Sequence, residues 1–175
     1  VDLMGGANRQ SEYLALNPSG QLPCLVMANG EILAEITAIC EYLDEQAAGV
    51  TLLGDSAEER AKVRMWTRRV DLNICEPLTS GFRYSEGLGL FKERMITIPA
   101  AADGLKQIAR DKTAWLDDLM SDGREFIAGD KISLADVVLF CFLAFGNGIG
   151  QAYDQNLANV HAWFERMSAR PSAQA

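Results

Sequence analysis

The sequence has few of the residues on which metal and redox chemistry depend. It contains one histidine, His161, and four cysteines with no C-x-x-C spacing, namely Cys24, Cys40, Cys75 and Cys141. Zinc sites and redox dithiols need closely spaced ligands of these types, so we expect neither, and no bound metal. Because the cysteines lie in apolar stretches, we predict buried free thiols in a reducing compartment.

Positive charge is also scarce, since 16 Lys and Arg face 24 Asp and Glu, a net charge of −8. That sign disfavours binding to nucleic acid or to anionic membranes. Acidic neighbours offset the cationic cluster at residues 60–69, which predicts a solvated helix face. The longest apolar run, Val137 to Gly146, is far below the roughly 20 residues that span a bilayer. With no signal peptide visible at Val1, we expect a soluble, cytoplasmic protein.

The most informative stretch runs from Asn17 to Leu43. Asn29-Gly30 separates the apolar run Cys24–Ala28 from Glu31–Leu33, and this dipeptide predicts a two-residue hairpin turn with positive φ at both positions. A helix is expected next, because apolar residues recur at helical spacing and would pack on the hairpin. These residues are Ile36, Ile39, Cys40 and Leu43.

Two motifs lie in this stretch. The first reads Asn17-Pro18-Ser19-Gly20-Gln21-Leu22-Pro23, and the second reads Glu35-Ile36-Thr37-Ala38-Ile39. In order and spacing the pair resembles the glutathione-binding half of the glutathione transferases, except that Ile36 stands where the family usually has serine. The resemblance, to the cytosolic, bacterial-like type, implies a thioredoxin-like α/β domain followed by an all-helical domain.

The resemblance also implies how glutathione is held. A cis Leu22-Pro23 bond would turn the chain so that the Leu22 N–H and C=O face solvent and pair with the extended cysteinyl part of the tripeptide. Backbone N–H groups at the helix start would bind the γ-glutamyl carboxylate, and Glu35 would accept from its ammonium group. The implied glutathione site is Gln21, Leu22, Pro23, Glu35 and Ile36.

The implied domains are residues 1–49, a linker at 50–56 and helices over 57–175. Val1–Leu3 is interpreted as the end of a strand. The first strand and helix of the thioredoxin-like fold are absent, so we expect the chain to be part of a longer one. The catalytic residue that activates the thiol is then unknown and is expected upstream of Val1, because Tyr13, Ser11 and Cys24 are poor substitutes.

From Ala57 onward the periodicity predicts helices only. One stripe, Val63, Trp66, Val70, Ile74 and Leu78, passes through a kink at Pro77. A helix from about Leu90 to Met120, kinked at Pro99, would turn one face inward, namely Leu105, Ile108, Trp115, Leu116 and Leu119. Ser133 and Asp136 form a capping-box variant before a helix expected to be buried on every side. The last helix would bury Val160, Trp163, Phe164 and Met167.

The chemistry implied by the resemblance is attack of the glutathione thiolate on a hydrophobic electrophile, with glutathione as co-substrate. Candidates for the acceptor pocket, expected between the domains, are Met65, Trp66 and Arg69. A homodimer is expected through the helices near Ala57–Ser85 and Leu90–Met120. Two alternatives stay open. One is a non-catalytic, transferase-like interaction or regulatory module, favoured by Ile36. The other is a glutathione-dependent isomerase or dehalogenase, which would differ only in the acceptor pocket.

Overall fold

The computed structural model describes residues 1–49 and 51–174. The chain forms two compact units. One spans Val1–Leu52, and the other begins at Leu53. A small two-stranded sheet with helices makes up the first unit, and the second contains helices only among its described residues. This architecture agrees with the expected thioredoxin-like domain followed by an all-helical domain. The linker expected at 50–56 starts at Val50, which lies outside the described residues.

The first unit begins with turns and a short helix. Val1–Leu3 is not a strand, contrary to the expectation, because the Asp2 carboxylate accepts from Gly5 N (2.8 Å) and the Asp2 carbonyl accepts from Ala7 N (2.9 Å). Such local side-chain and glycine turn chemistry outcompetes a short apolar run. A single 3₁₀ turn, Ala7–Arg9, leads into helix α1, Ser11–Leu16, as expected for that segment.

A β-hairpin follows, in which β1 (Leu25–Val26) pairs antiparallel with β2 (Ile32–Leu33). Its turn differs from the predicted one. Met27 N donates to Glu31 O (2.9 Å), and of the loop residues only Gly30 has positive φ, at +85°. This is the three-residue loop that ends in a left-handed residue. The Asn29 carboxamide oxygen accepts from Glu31 N (3.0 Å), which holds Asn29 outside the left-handed region.

Helix α2, Ile36–Gln46, packs only part of its predicted face. Ile39 is buried and Cys40 is partly buried, but Ile36 and Leu43 are 50% and 49% exposed. The prediction of one inward stripe is wrong for these two residues. Each paired strand is only two residues long, and neither strand makes extensive contact with α2.

The second unit contains six helices among its described residues. They are α3 (Ala57–Val70), α4 (Glu76–Arg83), α5 (Leu88–Phe91), α6 (Ala102–Leu119), α7 (Leu134–Gly148) and α8 (Ala158–Ser168). The predicted stripe along α3 and α4 is buried throughout, and so are the four residues expected to face inward on α8.

A π-helical turn, Asp71–Cys75, joins α3 to α4 just before Pro77. Here Glu76 N donates to Asp71 O, a bond between residues five apart. Proline has no backbone N–H, so it cannot donate the usual hydrogen bond to the preceding turn of a helix. The wider π turn accommodates the missing hydrogen bond. The predicted irregularity at Pro77 is therefore an inserted π turn that keeps Ile74 and Leu78 on the buried side.

Helix α6 begins at Ala102, so the helix predicted from Leu90 is wrong at its start. Ile98, as the residue before a proline, is disfavoured in the helical region, and Pro99 opens a 3₁₀ turn instead. The predicted inward face is also partly wrong, since Ile108 and Trp115 are 46% and 36% exposed. Small residues close to α4 and α8 take the buried positions, namely Ala102, Ala109 and Thr113.

Helix α7 is buried along most of its first half but only at Leu143 and Gly146 in its second half. Leu134 to Leu139 lie in the core apart from the partly buried Val137, whereas Cys141, Ala144 and Phe145 are exposed. The helix is therefore not central on every side, although its sequence is apolar all round. Of the four cysteines, Cys75 alone is fully buried, Cys24 and Cys40 are partly buried, and all four thiols are free. No helix in the described part of the chain is long and apolar enough to cross a membrane.

Candidate functional site

Buried polar side chains form hydrogen bonds to the turn at Asn17–Gln21. The Tyr13 hydroxyl donates to Gln21 O at 2.6 Å, and Asn17 Nδ2 donates to the same oxygen at 2.9 Å. Tyr13 and Asn17 are 8% and 5% exposed, so both bonds lie in a region of low solvent content. Hydrogen bonds in such surroundings are electrostatically stronger than in water. The Gln21 carbonyl is therefore fixed by two donors.

Further bonds close the same turn. Asn8 Nδ2 donates to Gly20 O (2.5 Å), Ser19 Oγ donates to Asn17 Oδ1 (2.9 Å), and Gln21 N donates to Ser19 Oγ (3.2 Å). Gly20 has φ +66°, and a Cβ there would lie 3.2 Å from the backbone oxygen of Asn8. The left-handed conformation favours glycine at this position.

The buried side chains of Asn8, Tyr13 and Asn17 form the scaffold of this turn. The segment Gln21–Leu22–Pro23 continues from the turn and lies at the surface. All three residues are exposed, and the Leu22-Pro23 peptide bond is cis, as the family resemblance implied. Leu22 makes no backbone hydrogen bond to any residue in the ranges 1–49 and 51–174. Its N–H and C=O are thus available to an extended peptide, which could add to them as a strand.

The second part of the candidate site is the start of helix α2. Glu35 precedes the helix with φ +68° and ψ +114°, a combination uncommon for a residue with a side chain. Strained conformations of this kind persist where the surroundings enforce them, often at binding sites. Glu35 and Ile36 are exposed, and no side chain caps the first turn. The free N–H groups of that turn can bind a carboxylate.

Tyr13 serves as a neutral donor at physiological pH. Burial, followed by the neighbouring Cys24 thiol, raises the pKa of its hydroxyl above the ordinary value. A raised tyrosine pKa keeps the proton in place at pH 7, and that proton is directed to Gln21 O.

The three acceptor-pocket candidates occupy different environments on α3. Met65 is 40% exposed, whereas Trp66 is 4% exposed and leaves little surface for a substrate. The Arg69 and Arg124 guanidinium groups lie 5.0 Å and 5.1 Å from the Trp66 ring centroid, within cation–π range. Of the three candidates only Trp66 lines the neighbouring cavity of about 440 Å³. Its other lining residues are Lys62, Asp122, Gly123, Arg124, Gly129 and Asp130.

The predicted capping box at the start of α7 is formed and serves the fold. Asp136 Oδ2 accepts from Ser133 N (2.8 Å) and Ser133 Oγ (2.7 Å). The other oxygen, Oδ1, accepts from Ile127 N and Trp163 Nε1, both at 2.8 Å. Burial raises the pKa of this carboxyl, and the four donors act against that shift. The carboxylate therefore ties three separate segments of the helical unit together.

Several features of the structure were not predicted from the sequence. A second capping box at Ser56 and Glu59 carries the S-x-x-E signal and could have been found. The roles of Asn8 and Tyr13 gave no local signal, because each acts on a carbonyl eight or more residues away. In the described part of the chain there is no group of three or more His, Cys, Asp or Glu that could hold a metal ion.

Comparisons with known proteins agree with this geometry. A family model for the glutathione S-transferase N-terminal domain matches residues 1–46, and one for the C-terminal domain matches residues 99–171. Glutathione S-transferase 2 of Saccharomyces cerevisiae is 30% identical over 183 residues, covering 99% of this chain and 74% of the relative.

Similarity extends to solved structures and to a second kind of protein. The crystal structure of a glutathione S-transferase domain-containing protein from Marinobacter aquaeolei VT8 superposes with a TM-score of 0.92 at 32% identity. That match covers 99% of this chain and 84% of the other. Elongation factor 1-gamma of Artemia salina is 27% identical over 164 residues, which are 93% of this chain but only 36% of that protein.

Proposed function

The chain belongs to the glutathione transferase family, and from that premise we propose that it conjugates the thiolate of glutathione to hydrophobic electrophiles. In this reaction the sulfur forms a bond to an electrophilic carbon, and a leaving group such as halide departs with the bonding pair. The observation that carries the proposal is the exposed backbone of Leu22, which pairs with none of the described residues and lies next to the buried side chains of Tyr13 and Asn17.

We propose that two anchors in the first unit hold the tripeptide. The cysteinyl residue of glutathione adds as a strand and pairs with the N–H and C=O of Leu22, which lies between Gln21 and Pro23. The first turn of α2, beginning at Ile36, binds the γ-glutamyl carboxylate, and Glu35 accepts from the ammonium group. Exposure of all five residues supports this arrangement.

The thiol must also be activated, because a free thiol has a pKa of about 8.5 and only a small fraction is thiolate at pH 7. A hydrogen-bond donor to the sulfur lowers that pKa. Tyr13 is not proposed for this role, since its proton is directed to Gln21 O. For the electrophile we propose contact with Met65 and Arg69 rather than with the buried Trp66.

The rival is a member of the family that holds glutathione without catalysis, or not at all, and similarity to elongation factor 1-gamma makes it a concrete alternative. The test is calorimetric titration with glutathione, followed by a conjugation assay with 1-chloro-2,4-dinitrobenzene. We expect saturable glutathione binding, and turnover by the full-length protein. Binding without turnover of any electrophile would favour the non-catalytic module, and absence of binding would contradict the proposed site.

The variant Glu35→Gln tests the γ-glutamyl anchor. It removes the negative charge and keeps the size, so glutathione should bind about tenfold more weakly, as for loss of a hydrogen bond to a charged group. Glu45→Gln is the matched control, since Glu45 is exposed near the other end of the same helix. Equal affinities of the two variants would place the ammonium group elsewhere.

We propose a cytoplasmic homodimer formed through α3, α4 and α6, the helices near Ala57–Ser85 and Leu90–Met120. Large apolar side chains are exposed along this part of the chain, at Leu72, Ile108 and Trp115. Leu72→Glu should convert the protein to a monomer in light scattering coupled to gel filtration. Phe145→Glu on α7, where Phe145 is 39% exposed, should leave the dimer intact. A wild-type monomer at micromolar concentration would contradict the proposal.

A further inference from the structure

We infer that Tyr13 is a positioning residue for glutathione, an inference that rests on the proposed function and deepens it. Tyr13 is only 8% exposed, so its own side chain offers little surface to the tripeptide. Its hydroxyl instead fixes Gln21 O at 2.6 Å, and Asn17 Nδ2 adds a second bond at 2.9 Å. Both act on the peptide unit that carries the Leu22 N–H.

Peptide planarity transmits this constraint to the binding surface. The Gln21 carbonyl and the Leu22 N–H belong to one peptide unit, and the Gln21–Leu22 bond is trans. In a planar trans peptide the C=O and N–H point in opposite directions. Fixing the oxygen on Tyr13 and Asn17 therefore directs the Leu22 hydrogen away from the buried scaffold. That is the donor proposed to meet the cysteinyl carbonyl of glutathione.

Two donors on one carbonyl give more control than a single one. An sp² oxygen accepts along two lone-pair directions, and the two bonds together oppose rotation of the peptide plane in either sense. Without the Tyr13 hydroxyl, Asn17 alone would hold the plane, and Asn17 also accepts from Ser19 N and Oγ. The plane would then sample orientations in which the Leu22 N–H does not face the ligand.

The test compares Tyr13→Phe with Tyr42→Phe in the full chain. Tyr13→Phe keeps the buried ring and removes only the hydroxyl. Tyr42 lies in the same unit, on α2, and its hydroxyl makes no hydrogen bond to the described residues. We expect Tyr13→Phe to raise the Kd and the KM for glutathione about three- to tenfold, the range that corresponds to one net hydrogen bond. The KM for the electrophile and all constants of Tyr42→Phe should stay unchanged.

A ligand analogue separates positioning from a merely structural role. In glutathione whose cysteinyl–glycine amide is replaced by two methylene groups, the acceptor for Leu22 N–H is gone and no charged amine takes its place. If Tyr13 acts through that N–H, Tyr13→Phe and the wild-type protein should bind this analogue with nearly equal Kd. A double-mutant cycle over the two proteins and the two ligands measures the coupling. The cycle is run below the onset of urea or thermal unfolding of every variant.

Three outcomes are distinguishable. A lower unfolding midpoint for Tyr13→Phe with unchanged glutathione affinity would overturn the inference and leave the proposed function standing. An equal penalty with glutathione and with the methylene analogue would overturn it as well. Failure of the wild-type protein to bind glutathione would instead overturn the proposed function from which the inference starts.

Discussion

Ile36, the first residue of α2, shows how one exposed side chain limits the explanations for an unusual sequence. Sequence alone allowed the isoleucine either to fill core volume or to replace a hydroxyl that binds a carboxylate. With the residue 50% exposed, a purely core role is excluded. Ile36→Ser should therefore change the free energy of unfolding by less than about 0.5 kcal/mol, as for ordinary surface substitutions.

The same substitution should tighten glutathione binding, because it adds a hydroxyl beside the free N–H groups of the first turn. The expected gain is about 0.5–1.5 kcal/mol in calorimetry, the net value of one hydrogen bond. Leu43→Ser is the control, since Leu43 has nearly the same exposure on the same helix. Unchanged or weaker affinity of Ile36→Ser, in a variant that unfolds like the wild type, would argue against placing the γ-glutamyl carboxylate at this turn.

Residues of the candidate site could be proposed from the sequence where a local motif carries them. Gln21, Leu22 and Glu35 came from ordered motifs, and the cis bond at Pro23 came with them. Tyr13 did not, because its contact with Gln21 O depends on how helix α1 lies against the turn. The positive φ of Glu35 was equally hidden, since glutamate has no intrinsic preference for that region and only the surrounding fold enforces it.

Two glycines inside helices differ in how closely another element approaches them. Gly81 lies within α4, and a Cβ there would lie 2.9 Å from Lys106 Cγ and 3.6 Å from Ala102 O of α6. Gly104 lies within α6 with no heavy atom near enough to contact an added Cβ. Gly104→Ala should stabilise the protein by up to about 1 kcal/mol, because alanine has the higher helix propensity.

Gly81→Ala should show the opposite sign in the same urea titration. It carries the same propensity gain, but the added methyl forces α4 away from α6 or displaces Lys106, and overpacking costs about 1–3 kcal/mol. The difference between the two glycine variants isolates the helix contact from propensity. Stabilisation by both substitutions would show that α4 and α6 are farther apart than described.

The capping box of α7 predicts a graded series. Ser133→Ala removes one cap and should cost about 0.5–2 kcal/mol. Asp136→Ala leaves the donors of Ser133, Ile127 and Trp163 unsatisfied, each worth about 1–3 kcal/mol when buried, so it should cost more than Ser133→Ala. Asp136→Asn keeps acceptor capacity on one oxygen and should fall between the two.

Coupling within the box supplies the control. Ser133 and Asp136 are hydrogen-bonded to each other through Asp136 Oδ2. The double variant Ser133→Ala, Asp136→Ala should therefore lose less unfolding free energy than the two single variants summed. Additive costs in denaturant melts would mean that the two residues act independently. Glutathione affinity should be unchanged for the folded fraction of each variant, since the box serves the fold of the helical unit.

Element types were predictable to different degrees, and the reasons are physical. Periodicity correctly placed the stripe on α3 and α4 and the inward face of α8, because burial there follows the helical repeat. It was wrong for single positions on α6 and α7, where Ile108, Trp115 and Phe145 face outward although Leu116 and Leu143 are buried. Apolar sequence shows that a residue could be buried, whereas the neighbouring elements decide whether it is.

For the whole molecule, the family resemblance carried by the motifs between Asn17 and Ile39 implied an α/β unit followed by a helical one, and helical periodicity from Ala57 onward agreed with it. They could not predict which polar residues connect distant elements, because such pairs have no sequence spacing. Glu86 is the clearest case. Its carboxylate accepts from Ser85 Oγ (2.5 Å), Lys106 Nζ (2.5 Å) and Gln151 Nε2 (3.0 Å). The turn after α4, helix α6 and the segment after α7 thus meet at one group.

These contacts make stability depend on pH in a defined window. Desolvation by burial opposes the charged form of Glu86, but the bonds from Lys106 and the other donors outweigh it and lower its pKa to about 2. A folded pKa below the unfolded value of about 4.3 means that the folded state binds fewer protons. The contribution of Glu86 is therefore fully present above the unfolded pKa and is lost as pH falls through about 2.

Glu86→Gln should accordingly destabilise the protein at pH 7, and the difference from wild type should shrink as the pH falls from about 4.3 towards 2. Because the Glu86 side chain is 39% exposed, solvent screening reduces the effect at pH 7 to about 1 kcal/mol. Urea unfolding at a series of pH values measures it. Glu93→Gln is the control, since Glu93 is exposed and forms no ion pair with the described residues. A difference for Glu86→Gln that grows towards acid pH would mean that the carboxylate is held in its protonated form, contrary to the contacts with Lys106 and Gln151.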